Sequence, residues 1–166
     1  MTVSVLLVED APQLREVVAT LLHSLGDFAV VGEASTEAQA RQWLQDNPNT
    51  CDLAIIDLIL QQGTGMSVIA KCKETPGTHV VVFSDYATPG IRKHCMALGA
   101  DAVFEKSRQM TEFIDYCARL APVIAQPKSP AAGPPAICTG APRPRHQSGT
   151  AGRKNHSPPR CRRVRP

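Results

Sequence analysis

Short apolar runs alternate five times with helical stripes along the first 121 residues, and this alternation constrains the fold more than any other feature of the chain. The opening run, "VSVLLV" at residues 3–8, is β-branched and aliphatic throughout, as a strand covered on both faces must be. After it, "PQLREVVATLLHSL" places Leu14, Val17, Val18, Leu21, Leu22 and Leu25 at helical spacing, with Pro12 at the start and Gly26 at the end. The same reading predicts strands over 28–32, 51–57, 79–83 and 102–105. It predicts helices from a Ser35 or Thr36 cap to about Gln45, then over 65–73, 89–98 and 110–120. Strand–helix alternation at this spacing predicts an α/β fold with a parallel sheet covered on both sides. Right-handed crossovers then favour the flavodoxin-like (βα)5 arrangement, a five-stranded parallel sheet in the order 2-1-3-4-5.

Ligands of such sheets bind at the carboxyl ends of the strands. Strand 1 ends in Glu9 and Asp10, strand 3 in Asp57, strand 4 in Ser84 and Asp85, and strand 5 in Glu105 and Lys106. Singly, each has a plain structural explanation: Asp57 a loop cap, Asp10 a helix start, Ser84 a bond to nearby backbone, Lys106 a solvated charge. Together they bring carboxylates, a hydroxyl and an ammonium to one rim. Crowded carboxylates need a cation or a proton, and an all-oxygen set with open water positions suits Mg²⁺. A carboxylate held there can attack phosphorus to give an aspartyl phosphate, with Mg²⁺, the ammonium and the hydroxyl holding the phosphoryl oxygens.

The motifs "LLVEDAPQLR", "AIIDLILQQGTG", "VVVFSDYAT" and "GADAVFEKS" resemble those of the CheY-like receiver domain of two-component response regulators, over about residues 3–121. The resemblance implies a role for each position. Asp57 corresponds to the phosphoacceptor, Asp10 to the acid that contacts Mg²⁺ directly, and Glu9 to its neighbour acting through water. Ile59 corresponds to the position whose backbone carbonyl completes the metal site. Ser84 corresponds to the hydroxyl that bonds the phosphoryl group, and Lys106 to the lysine that pairs with it.

The chain departs from the family pattern at several points. An aromatic switch residue is often found three positions before the lysine; here that position is Val103, with Phe104 beside it. Asp85 stands where a small residue usually follows the hydroxyl, Ser107 where a proline follows the lysine, and Gln61 where a proline often lies four residues after the acceptor. Ile59 and Tyr86 flank the path of attacking water in receivers; both are bulky and neither is a carboxylate or amide that could orient that water, so a long-lived phosphoryl group is expected.

The charge balance divides the chain. Residues 1–121 hold 9 Lys/Arg and 15 Asp/Glu, whereas residues 122–166 hold 9 Lys/Arg and no acid. Ten of the 14 prolines also lie in the second segment. The domain boundary is therefore read at Ala121–Pro122, with a receiver domain over 1–121 and a basic Pro/Arg-rich tail over 122–166 whose composition predicts disorder. The tail shows no helix-turn-helix pattern, so no output domain is recognised. The chain then reads as a stand-alone receiver that signals through protein contacts, and the tail as a nucleic-acid arm lacking aromatic residues to stack on bases, as a basic segment that attracts anionic partners or the chain's own acidic domain, or as the product of a shifted reading frame. Its Cys138, Cys161, His146 and His156 match no common zinc spacing. The six cysteines form no Cys-x-x-Cys pair and read as reduced thiols. No signal segment opens the chain and no apolar run approaches membrane length, so a cytoplasmic protein with no membrane partner is expected.

The leading expectation is a phosphorylation-dependent signalling switch. The resemblance implies a histidine kinase or phosphotransfer protein as donor, and a downstream protein bound at the helix 4–strand 5–helix 5 face. Apart from phosphotransfer to its own Asp57, no enzymatic turnover is expected. A haloacid-dehalogenase-type phosphatase would need a second aspartate where Ile59 stands, and a flavin phosphate would meet an acidic rim. A pseudo-receiver acting as an interaction module without phosphorylation is the remaining rival.

Overall fold

The computed structural model describes residues 2–124. Ten elements alternate strictly: β1 (Val3–Val8), α1 (Pro12–Ser24), β2 (Phe28–Ala34), α2 (Glu37–Asp46), β3 (Leu53–Ile56), α3 (Gly65–Lys73), β4 (His79–Phe83), α4 (Pro89–Leu98), β5 (Ala102–Phe104) and α5 (Met110–Ile124). The strands form one parallel sheet in the order β2-β1-β3-β4-β5. This is the fold class that the periodicity predicts.

Period-2 alternation divides each strand between two cores. Val3, Val5 and Leu7 of β1, Leu53 and Ile55 of β3, and Val81 and Phe83 of β4 pack under α1 and α5, against Val18, Leu22, Phe113 and Cys117. Leu6 and Val8, Ala54 and Ile56, and Val80 and Val82 face α2, α3 and α4, against Ala40, Val68, Ile69, Cys72 and Cys95. Phe113 is wholly buried and stacks on Phe83 at a centroid distance of 4.4 Å.

The boundaries differ from expectation where a distant residue intervenes. β2 continues past Gly32 to Ala34, since Glu33 and Ala34 still pair with Leu7 and Val8 of β1, and the indole of Trp43 occupies the space a Cβ on Gly32 would need. Glu33 is then held by Arg15 at 3.0 Å. β3 is shorter than residues 51–57, although Asp57 N–H still donates to the Val8 carbonyl at 2.9 Å. β5 likewise ends one residue early, at Phe104. Thr36, not Ser35, caps α2, its hydroxyl accepting from Gln39 N–H at 3.2 Å. Val17 lies off the buried stripe of α1 and is 48% exposed. α5 runs through Pro122 to Ile124, past the compositional boundary, with Leu120 and Ala121 buried against the sheet. Pro122 removes one hydrogen bond from the last turn, where the helix is least dependent on it. The remainder of the tail, with its disorder, nucleic-acid and zinc readings, lies outside the described residues.

Cys51, Cys72, Cys95 and Cys117 are free and buried, and no helix among the described residues is long and apolar enough to cross a membrane. Burial pushes the thiols of Cys51, Cys72 and Cys117 up to about 12. At pH 8 only roughly one in 10,000 of each is then thiolate, and the thiolate is the reactive form. Iodoacetamide at pH 8 is expected to leave these three cysteines unlabelled in the native protein and to label them readily in urea. Peptide mapping that finds rapid native labelling at any of the three would refute this.

Candidate functional site

The carboxyl ends of two adjacent central strands, β1 and β3, bring three acids together. Glu9 follows β1 and extends its ladder, its N–H donating to the Ala34 carbonyl at 2.9 Å. Its side chain turns inward: Oε1 accepts from Ala11 N–H at 3.1 Å and Oε2 pairs with Lys106 Nζ at 2.6 Å. Asp57 follows β3; its Oδ1 accepts from Ile59 N–H at 3.2 Å and its Oδ2 accepts from Lys106 Nζ at 2.7 Å. Carboxylate oxygens of Glu9, Asp10 and Asp57 all lie within 4.8 Å of one another. Lys106, Glu9 and Asp57 have side chains only 11%, 5% and 8% exposed, so these ion pairs are little screened.

Three carboxylates around one ammonium leave a formal charge of −2, with Glu9 and Asp57 buried and Asp10 partly exposed. Burial pushes the Glu9 carboxyl above its ordinary range, and the Lys106 bond only partly offsets that. Burial alone would lower the Lys106 ammonium, but its bonds to Asp57 and Glu9 outweigh this and hold it above its usual value. The pocket thus keeps its cation and has room for more positive charge. A set of carboxylate oxygens alone fits a hard divalent cation.

Glycine shapes the floor of the pocket. Gly65, the first residue of α3, approaches Asp57 so closely that a Cβ would fall 2.0 Å from the Asp57 carbonyl oxygen. The turn into α3 is closed by an Ile59–Thr64 bridge and by Thr64, which caps the helix by accepting from Met66 N–H at 3.2 Å. Sequence reading recognised Gly65 only as a helix start, since the close approach carries no local signal.

Ser84 is fully buried at the end of β4, its N–H donating to the Phe104 carbonyl at 3.1 Å and its Oγ accepting from Tyr86 N–H at 3.4 Å. Asp85 is exposed and stands outside the cluster of acids, its Oδ1 accepting from Ser107 N–H at 3.0 Å. A proline at 107 could not donate that bond, so two departures from the family pattern are coupled. Ile59 and Tyr86 are 51% and 61% exposed beside the pocket. Phe104 packs with Phe113 and Tyr116 on the α5 side, at centroid distances of 6.0 Å and 5.4 Å, whereas Val103 faces the α4 side.

Two arginines went unread in the sequence. Arg15 Nη1 donates to the Glu9 carbonyl at 2.9 Å and to Ser35 Oγ at 2.8 Å, steadying the loop that carries Glu9 and Asp10. Arg92 of α4 bonds the carbonyls of Ala87 and Val103 and the side chain of Gln109. Neither has a local signature, because the partners, backbone carbonyls and side chains alike, are brought in by the fold.

The family model for the response regulator receiver domain matches residues 5–118. The chain is 32% identical over 111 residues to a Pseudomonas aeruginosa protein described as a transcriptional regulator, covering 66% of this chain and 52% of that one. It is 30% identical over 103 residues to protein-glutamate methylesterase/protein-glutamine glutaminase 1 of Chromobacterium violaceum, covering 62% of this chain and 28% of that one. The chain therefore spans about half of the first relative and about a quarter of the second. Among solved structures, the signal receiver domain of the response regulator NarL from Mycobacterium tuberculosis is 28% identical with a TM-score of 0.64, covering 73% of this chain and 97% of that one. With the five-stranded topology, the acid cluster and the strand-end lysine all in place, the chain belongs to the family of response regulator receiver domains of two-component systems.

Proposed function

We propose that Asp57 is a phosphoacceptor and that the domain is a phosphorylation-dependent switch rather than a turnover enzyme. The observation that carries this is the setting of Asp57, with one oxygen on Lys106, the other on Ile59 N–H, and Glu9 and Asp10 alongside. One Asp57 oxygen attacks phosphorus and the bond from phosphorus to the donor breaks, the leaving group taking the electron pair. A phosphohistidine on a histidine kinase or phosphotransfer protein is the proposed natural donor. Lys106 and Ser84 hold the phosphoryl oxygens. Glu9, Asp10, Asp57 and the Ile59 carbonyl would hold Mg²⁺, which supplies further charge neutralisation when bound. The proposed output is a protein contact on the face formed by α4, β5 and α5.

The outward bond of Asp85 to Ser107 supports this over a phosphorylation-free pseudo-receiver, since no extra carboxylate competes with the incoming phosphoryl group. The bulky, exposed Ile59 and Tyr86 support slow hydrolysis, as neither offers a carboxylate or amide to orient an attacking water. Acetyl phosphate with Mg²⁺ is expected to add one acid-stable, base-labile phosphoryl group, detected by intact mass. The adduct should be absent from Asp57→Asn and from protein treated with EDTA, and should persist for minutes or longer. No adduct, or an adduct that survives Asp57→Asn, would remove the proposal; decay within seconds would remove the lifetime claim alone.

A further inference from the structure

We infer that Arg92 carries the state of the Asp57 pocket to helix α4, an inference that rests on the phosphorylation reading. Two loops bring chemistry to the pocket from this side: residues 84–88, which carry Ser84, and residues 105–109, which carry Lys106. Arg92 is bonded to groups bordering both. Its Nε donates to the Ala87 carbonyl at 2.9 Å, three residues beyond Ser84. Its Nη1 donates to the Val103 carbonyl, three residues before Lys106, and its Nη2 to Gln109 Oε1. Gln109 Oε1 also accepts from Glu105 N–H at 3.1 Å, so the same side chain braces the strand end that presents Lys106.

A guanidinium is planar and its donors point in fixed directions. Three acceptors gripped by one rigid group cannot move independently. Movement of the Ser84 loop toward a phosphoryl group on Asp57 must therefore either break the Ala87 bond or pull on Arg92, and with it the first turns of α4. On β5, Phe104 is packed on the α5 side of the sheet and Val103 is aliphatic, so neither offers an aromatic link to the Ser84 loop. The Asp85–Ser107 bond ties the same two loops on the exposed side, so they respond together. A lysine at 92 has a single nitrogen and cannot reproduce the three-way grip.

Hydrogen exchange read by mass spectrometry tests the inference on the full chain, with and without acetyl phosphate and Mg²⁺. In the wild type, phosphorylation is expected to change exchange across peptides covering 87–98 by about fivefold or more, the size of an ordinary coupling between sites. Arg92→Ala and Arg92→Lys are expected still to form the Asp57 adduct but to lose most of that change, with Gln109→Leu intermediate. Arg92→Lys carries the test if Arg92→Ala fails to fold by circular dichroism. An undiminished exchange response in both arginine variants would overturn the inference, as would a wild-type adduct with no response in α4. A wild type that forms no adduct would instead overturn the phosphorylation reading, and this inference with it.

Discussion

Lys106→Met is expected to slow phosphoryl uptake on Asp57 by about 100-fold or more, while tightening Mg²⁺ binding. The first effect follows from the 2.7 Å bond between Lys106 Nζ and Asp57 and from the near-burial of both groups. Positioned charge in a water-poor site is worth about 10²–10³ in rate when charge moves onto the transferring group. The second effect follows from the charge of the pocket. Removing the ammonium leaves Glu9, Asp10 and Asp57 with no protein cation among them, so a divalent ion faces one more uncompensated negative charge. The opposite signs make the test discriminating, since general damage to the fold would weaken both. Rates of adduct formation at saturating donor and Mg²⁺, with titration of Mg²⁺ by calorimetry, supply both readings. Uptake at wild-type rate would show that Lys106 is a structural counter-ion only.

Gly65→Ala is expected to destabilise the domain by about 3 kcal/mol or more, well above an ordinary substitution. In an open helix the same change stabilises by up to about 1 kcal/mol. Here the added Cβ would lie 2.0 Å from the Asp57 carbonyl oxygen, and 2.8 Å from both the Asp57 carbonyl carbon and Ile56 Cγ2. Two of those atoms are backbone in the central strand region and cannot swing aside, so α3 must retreat from β3. The damage should reach the site too, weakening Mg²⁺ binding in whatever fraction stays folded. Gly90, in the first turn of α4, is the internal control, because a Cβ there meets nothing within 4 Å. Gly90→Ala should leave stability unchanged or raise it slightly. Urea denaturation decides the matter: a Gly65→Ala protein as stable as the wild type would show that α3 tolerates displacement.

Much of the architecture was legible before any coordinates. The five apolar runs and the helical stripes are local patterns, and crossover handedness leaves few strand orders, of which the expected 2-1-3-4-5 is the one found. Burying those strands on both sides leaves Glu9, Asp10, Asp57, Ser84 and Lys106 at strand ends by necessity. The boundaries were less legible. Gly32 reads as a strand end although pairing with β1 carries β2 on to Ala34, and the compositional boundary at Ala121–Pro122 falls inside α5, which continues to Ile124.

The sequence by itself determined the βα alternation and the residue types at the rim, and narrowed the strand order to a few, because periodicity and chain connectivity act through near neighbours. Tertiary structure alone decided that Asp85 turns outward to Ser107, that Phe104 packs toward α5, that Gly65 must lack a side chain, and that Arg92 grips two loops. Those outcomes depend on distances between groups well separated along the chain, many of them backbone carbonyls and amides that look alike at every position. Such groups acquire an identity only when the sheet and helices bring them within bonding range.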